Sequence, residues 1–502
     1  MFELIIGLEV HTQLNTKTKL FCNCKTSFGE KPNKNTCPVC IGLPGALPVL
    51  NKEAVIKAMT FGNAVNSTIN NNSIFERKNY FYPDLPTGYQ ISQLEIPIVE
   101  FGEVIIKDKE KNDKVIRLNR AHLETDAGKN IHGSDNSLVD LNRSGIPLLE
   151  IVTEPDFRSS EEVTSYLKQL HSIVKYINIS DANMQEGSFR CDVNVSIRPK
   201  GDKKLYTRCE IKNLNSFKFI EKAIAYEYQR QVEAWEDGVY DEEVFQETRL
   251  FDTTNFVTKS MRSKEEAMDY RYFPDPDLKE VTLTKDMYEK AKELPELPRE
   301  KYIRYKNELE IPELEIERLI QSPILNKIFE EIIEKDKKER IKPAISILMV
   351  ELPNILKEYS TELLISNISI KQIKDLIDNI VKEVISMGAI KKVLPYLLKN
   401  NTISPIKKTS IILKDTISNK ECEEELKVKD VLGELNLLQI SDENELSNYI
   451  EEVLNKEKEK VEEYKNGKEK LFGSFVGKIM KATQGKGNPQ IINKILKQKL
   501  KG

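Results

Sequence analysis

The chain changes texture at Leu294-Pro295-Glu296-Leu297-Pro298, and this switch constrains its fold more than any other feature. Before it lie short strand-like runs broken by Gly, Pro, Asn and Asp: Leu4–His11, Gly102–Ile106, Val115–Leu118, Val139–Leu141 and Cys191–Ile197. Two helices interrupt them. Ser159, followed three residues on by Glu162, has the form of a capping box, and Val163, Leu167, Leu170 and Val174 continue at helical spacing. The second helix runs from about Ser216 to Trp235 and stops at Gly238. After the switch helical patterns dominate, over Leu319–Ile333, Ile345–Ile355 and Ile370–Val384. A polar, lysine-rich stretch begins near Asn400-Asn401, and Ile491, Ile492, Ile495, Leu496 and Leu500 form a last apolar stripe. Strand-rich then helical territory predicts an α+β protein: a domain around an antiparallel sheet over 1–292, an all-α domain over 293–400, and a polar segment with a small helical tail over 401–502.

At 502 residues, two to four domains are expected. No run of about eighteen apolar residues exists, and Met1–Gly7 has no basic region leading into an apolar one, so membrane insertion and export are not expected and the cytoplasm is. The net charge of -4 hides an asymmetry, because Gly473–Gly502 holds seven lysines and no acidic residue. Such a tail suits a polyanion partner, although a lysine-rich helix end is more often only solvated.

Four of the seven cysteines crowd together as Cys22-Asn-Cys24 and Cys37-Pro-Val-Cys40. Two short knuckles, each delivering two thiolates, match the needs of tetrahedral zinc. No histidine or carboxylate in the cluster suggests an open position, so the expected site is closed and structural. A chance cluster of partly buried thiols is the bland alternative.

Alternation supplies a second constellation. Residues two apart on a strand share a face, so Glu9 and His11 point together, away from Leu8 and Val10. The same pattern groups His122 with Glu124 and Asp126, Asp192 with Asn194 and Ser196, and Arg208 with Glu210 and Lys212. One wet face is ordinary for an antiparallel sheet. A solvated face favours Lys, Thr and Glu, however, whereas these four carry His, Asp and Asn, and two of only four histidines lie among them. Together they could floor a Mg²⁺-dependent phosphate site. Tracts such as Glu76–Asp84, Asp140–Pro147, Met184–Asp192, Glu210–Phe217 and Asp269–Asp277 place Arg and Lys beside Tyr and Phe, which suits stacking on bases and clamping of phosphates. No phosphate loop or dinucleotide fingerprint is present, so a nucleotide would need an unfamiliar surface.

These tracts in order, from Ile6-Gly-Leu-Glu-Val-His11 through Met261–Arg271, then Leu438–Asp442, Gly473–Lys481 and Gly487–Gln490, resemble the GatB family of the aspartyl/glutamyl-tRNA amidotransferases. The resemblance covers nearly the whole chain. It implies a cradle-like catalytic domain, a helical domain and a tail similar to YqeY proteins. It implies a ligase that uses ATP to phosphorylate the side-chain carboxylate of glutamate on tRNA(Gln) or aspartate on tRNA(Asn), followed by amidation. Ammonia would come from a partner amidase subunit, GatA, with the small GatC subunit completing a heterotrimer. No serine-rich amidase tract appears in this chain. Carried over by position, Glu9, His11 and Glu124 match the family's magnesium site, Asp192 and Glu210 line the same cradle as catalytic residues, and Cys22, Cys24, Cys37 and Cys40 match its zinc-bearing branch. Two departures stand out. Thr125 occupies a position where the family has a second glutamate, so Glu124, Asp126 or water is expected to replace it. A longer segment, roughly Asn401–Glu424, has no assigned role.

Overall fold

Alternation along β1 (Phe2–Gln13) sets the sheet, with Leu8 and Val10 sealed in the core while Glu9 and His11 take the opposite face. The computed structural model describes residues 1–133, 135–262, 270–334, 337–358, 368–401, 426–440 and 442–501. It divides into two units, Met1–Ile303 and Arg304–Gly502.

The first unit is built on β1 and on β2 (Glu76–Asn79), β3 (Tyr89–Ser92), β4 (Asp113–Thr125), β5 (Pro147–Thr153), β6 (Phe189–Pro199), β7 (Cys209–Lys212), β8 (Glu247–Asp252) and β9 (Val257–Arg262). The order β9-β8-β7-β6-β1-β5-β4, continued by Val99–Glu100 and Thr68–Ile69 and joined by Glu103–Lys107, forms a 10-stranded sheet. Its pairings are antiparallel apart from β7 with β8. The α+β class around an antiparallel-dominated sheet is therefore the observed one. β2 and β3 pair with Phe273–Pro274 in a separate small sheet.

Three helices, α1 (Lys52–Ala64), α2 (Ser160–Tyr176) and α3 (Phe217–Glu236), cover the apolar face. Their Ala58, Phe61, Val163, Leu167, Ile220 and Ile224 join Leu8, Val10, Leu123, Ile151 and Val193 in one core. Burial of that face leaves the other for polar groups. Ser159 caps α2 by accepting from the Glu162 amide at 3.3 Å, but the reciprocal arm of the expected box is diverted. The Glu162 carboxylate accepts from the Arg158 amide and from Lys114 Nζ, both at 2.7 Å. α3 stops just before Gly238, whose φ of 76° few other residues tolerate.

The second unit is helical. The pattern over Leu319–Ile333 resolves into two helices, Glu313–Ile320 and Pro323–Ile333, because Pro323 lacks the N–H to continue the first and Ser322 caps the second. Ile345–Ile355 crosses a π-turn at Ile347–Glu351. In the tail, Ile492, Ile495, Leu496 and Leu500 bury against Leu446, Ile450, Phe475 and Ile479. Of the segment Asn401–Glu424 only Asn401 is described, and Cys422 and 263–269 of the Met261–Arg271 tract also lie outside the described residues. Among the described residues no helix is long and apolar enough to cross a membrane.

Candidate active site

Cross-strand register assembles the site. His11 on β1 stands opposite Glu150 on β5, which stands opposite His122 on β4, so one row across three strands reads His, Glu, His. His11 Nε2 lies 3.3 Å from Glu150 and 3.8 Å from Glu124, and His122 Nε2 lies 3.4 Å from Glu150. One ligand atom each from His11, Glu124 and Glu150 falls within 4.8 Å of the others. An imidazole and two carboxylates, largely withdrawn from water and open toward one another, fit a divalent cation.

Charge is shared unevenly across the cluster. Burial pushes the Glu124 carboxyl up, and Glu150 adds to the push. Burial acts on Glu150 in the same sense, yet His122 and His11 hold it well below the usual carboxylate range. Two neighbouring carboxylates are thus driven apart in proton affinity, as expected of a shared site. His11, against the effect of burial, is pushed up to about 9 by Glu150 and Glu124. Among the described residues, the buried His122 Nδ1 has no hydrogen-bond partner.

Glu9, Asp192 and Glu210 form a second acidic group beside the first. Glu9 pairs in register with Asp192 and accepts from Asn194 Nδ2 at 3.0 Å, and burial, then Glu150 and Glu210, push its carboxyl up. Lys212 Nζ bridges Asp192 and Glu210 at 2.9 Å each, and Thr248 donates to Glu210 at 2.8 Å.

Asp126 is placed otherwise than expected. Its carboxylate accepts from Gln13 at 2.7 Å, from Arg190 at 3.0 Å and from the Ala127 amide at 2.9 Å, so it is committed to holding Arg190 and does not join His11. Despite burial, Arg190 and Arg143 keep it below its ordinary value. Thr125 faces away from the cluster, its hydroxyl accepting from the Ile91 amide at 3.3 Å. β4 pairs with β5 in unbroken register from Thr125 to Arg120, so position 125 lies on the opposite side of the strand from Glu124.

Sequence reasoning missed Glu150 and Lys78. Glu150 is a lone carboxylate in the apolar run Pro147–Val152, and that anomaly was the available signal. Lys78, on β2, lies with its ammonium 5.0 Å from the Tyr270 ring, and Glu124 and Glu150 push it up against the effect of burial. Its neighbour Arg77 has a different task. It clasps Asp275 and Asp277 and stacks 4.2 Å over Tyr89, so it holds the loop and is not offered to a ligand. Phe81 and Tyr82 are exposed.

The cysteines converge separately. Cys40 Sγ is 4.0 Å from Cys24 Sγ and from Cys37 Sγ, and all four sulfurs lie within 4.8 Å of one another. Zinc bonded at about 2.3 Å sets tetrahedral sulfurs roughly 3.8 Å apart, so the cage fits a structural ion.

A family model for the GatB/GatE catalytic domain matches residues 4–289, and a GatB domain model matches 327–500. The chain belongs to the GatB/GatE family. Over 500 residues it is 56% identical to the B subunit of the aspartyl/glutamyl-tRNA(Asn/Gln) amidotransferase of Campylobacter hominis, and over 502 residues 56% identical to that of Campylobacter jejuni. The corresponding Sulfurovum protein is 52% identical over 500 residues, and each alignment spans 100% of both chains. The GatB/GatE catalytic-domain match contains the whole polar face of the sheet, from Glu9 to Glu210.

Proposed function

We propose that this chain is the kinase and transamidase component of a glutamine-dependent tRNA amidotransferase, a carbon–nitrogen ligase of translation acting in the cytoplasm. The observation that carries this reading is the convergence of His11, Glu124 and Glu150 beside Glu9, Asp192 and Glu210, in a chain alike end to end to its amidotransferase relatives. Its partners are then an amidase subunit related to GatA, a small subunit related to GatC, and misacylated tRNA.

A carboxylate is a poor acylating agent until it is phosphorylated. An oxygen of the substrate's side-chain carboxylate attacks the γ-phosphorus of ATP, the bond to the β,γ-bridging oxygen breaks, and ADP leaves. Ammonia then attacks the acyl carbon, loses a proton and expels phosphate. His11, Glu124 and Glu150 would hold Mg²⁺, which when bound offsets charge on the phosphates. Lys78 supplies a fixed positive charge within the field of the same carboxylates, where it would favour transferring phosphoryl oxygens. Glu9, Asp192 and Glu210 orient Lys212 and Asn194 along the adjoining floor. The four-cysteine loop, holding zinc, serves as a staple and not as a catalyst.

The test uses the purified partner complex, misacylated tRNA, ATP and glutamine. Glu124→Ala is expected to abolish amide formation while leaving glutamine hydrolysis by the amidase measurable. Undiminished amide formation would exclude a kinase role for that residue. A protein that merely presents tRNA would tolerate this change. Thr125→Ala makes the complementary case. It removes two long, neutral hydrogen bonds to Ile91 of β3, so amide formation should fall by less than about fivefold. A loss matching that of Glu124→Ala would show that position 125 reaches the reacting groups.

A further inference from the structure

Lys19 follows β1 and is sealed completely from solvent, one of the largest fully buried side chains in the chain. An ammonium removed from water needs either a counter-charge or a complete set of acceptors. Its Nζ donates to the Asn35 carbonyl at 2.7 Å and the Leu141 carbonyl at 3.2 Å, and its third donor is directed at Cys40 Sγ, 3.5 Å away. Among the described residues no ion pair joins it to a carboxylate. The anion that balances Lys19 must come from the sulfur cluster itself.

A divalent ion on four thiolates carries two excess negative charges, and a buried cluster of that kind is stabilised by nearby donors. The Cys37 amide supplies one, 3.2 Å from Cys40 Sγ. Lys19 is the only cationic side chain hydrogen-bonded to these sulfurs among the described residues. The backbone is shaped to admit it. Gly145 adopts φ +84°, a backbone conformation that side chains rarely take, and its backbone lies directly against Lys19 and Cys40.

We propose that Lys19 is the built-in counter-charge of the four-cysteine metal site, raising its affinity for the ion and clamping the loaded loop onto the turn that leads into β5. Lys19 holds the Leu141 carbonyl, the Ser144 hydroxyl donates to the Cys40 carbonyl at 3.2 Å, and the Leu20 amide donates to the Gly145 carbonyl at 2.9 Å. That turn carries the chain into the strand bearing Glu150. The inference rests on the reading of the cysteine cage as a metal site, and Lys19 acts as a positioning residue that touches no substrate.

The full-length chain is tested for zinc content and for zinc affinity by competition with a chelator. The parent should hold about one zinc per chain. Lys19→Met, close in shape but uncharged, should bind zinc about 10- to 100-fold more weakly with an unchanged circular dichroism spectrum. Ser144→Ala, which removes a neutral contact in the same shell, should lose far less. Equal affinity in Lys19→Met and parent would overturn the counter-charge while leaving the metal reading intact. A parent that takes up no zinc overturns both. If Lys19→Met does not fold, the unaltered chain decides: an amine-acylating reagent should label Lys19 only after the metal has been extracted. Labelling that ignores the metal would refute the proposal.

Discussion

Replacing Glu150 with glutamine will lower ATP-dependent amide formation by about 10³-fold, or roughly 4 kcal/mol of transition-state stabilisation. Glutamine keeps the shape and can still meet both imidazoles, but it removes the charge that His11 and His122 both face at 3.3 and 3.4 Å. Three consequences coincide. The cation site loses an anionic ligand, His11 loses the negative charge nearest its Nε2, and His122 loses the one 3.4 Å from its own. The effect should therefore appear in kcat more than in KM for tRNA, because Glu150 is buried within the His11–Glu124 cluster. Steady-state amide formation by the assembled complex, with ADP release followed in parallel, measures it. Glutamine hydrolysis by the amidase partner serves as the control. Activity within tenfold of the parent would remove Glu150 from the reacting centre.

Glu150 also marks the limit of what could be read from the chain alone. Alternation located the polar face correctly, since Glu9, His11, Glu124, Asp192 and Glu210 all lie on it, and strand period is a local property. Which of them meet is set by register, which depends on pairing between segments far apart in sequence. The opposition of His11 with Glu150 joins residues nearly half a domain apart in sequence. The same distinction explains Asp126. It lies just past the end of β4, and Arg190, brought alongside by β6, captures the carboxylate. Thr125 looked like a lost ligand only while its side of the strand was unfixed. In the helical unit the apolar stripes were legible, whereas the break at Pro323 required weighing one missing N–H against a continuous pattern. Lys78 was hidden for a different reason. It sits in a tract rich in Arg, Lys and Tyr, and only the folded hairpin shows that Arg77 is spent on Asp275 while the charge of Lys78 is felt by Glu124 and Glu150.

The largest effect on stability is expected away from the chemistry, at Glu227. This residue of α3 is fully buried, and its carboxylate accepts from Arg230 at 2.6 Å, Gln231 at 2.9 Å and Thr258 at 3.0 Å, with Arg249 at 3.5 Å. It thereby fastens α3 to β8 and β9, the edge that flanks the strand carrying Glu210. Truncation by Glu227→Ala leaves the largely buried Arg230 without its anion, while Arg249 retains Glu247, a change that costs about 3–5 kcal/mol. At the size of this unit that corresponds to a fall in Tm of about 10 °C, measurable by calorimetry. The pH dependence has a definite sign. Burial alone would raise the Glu227 pKa, but Arg230, Gln231 and Arg249 outweigh it and hold the folded value below the ordinary 4.5. A depressed carboxylate contributes stability that is fully present above its unfolded pKa and lost as pH falls through the folded one. The gap between parent and Glu227→Ala should stay constant from about pH 6 to 8 and shrink only below about pH 4.5. A gap that widens on acidification, or a loss under about 1 kcal/mol at neutral pH, would mean that the arginines find other partners and that the network is not what holds this edge.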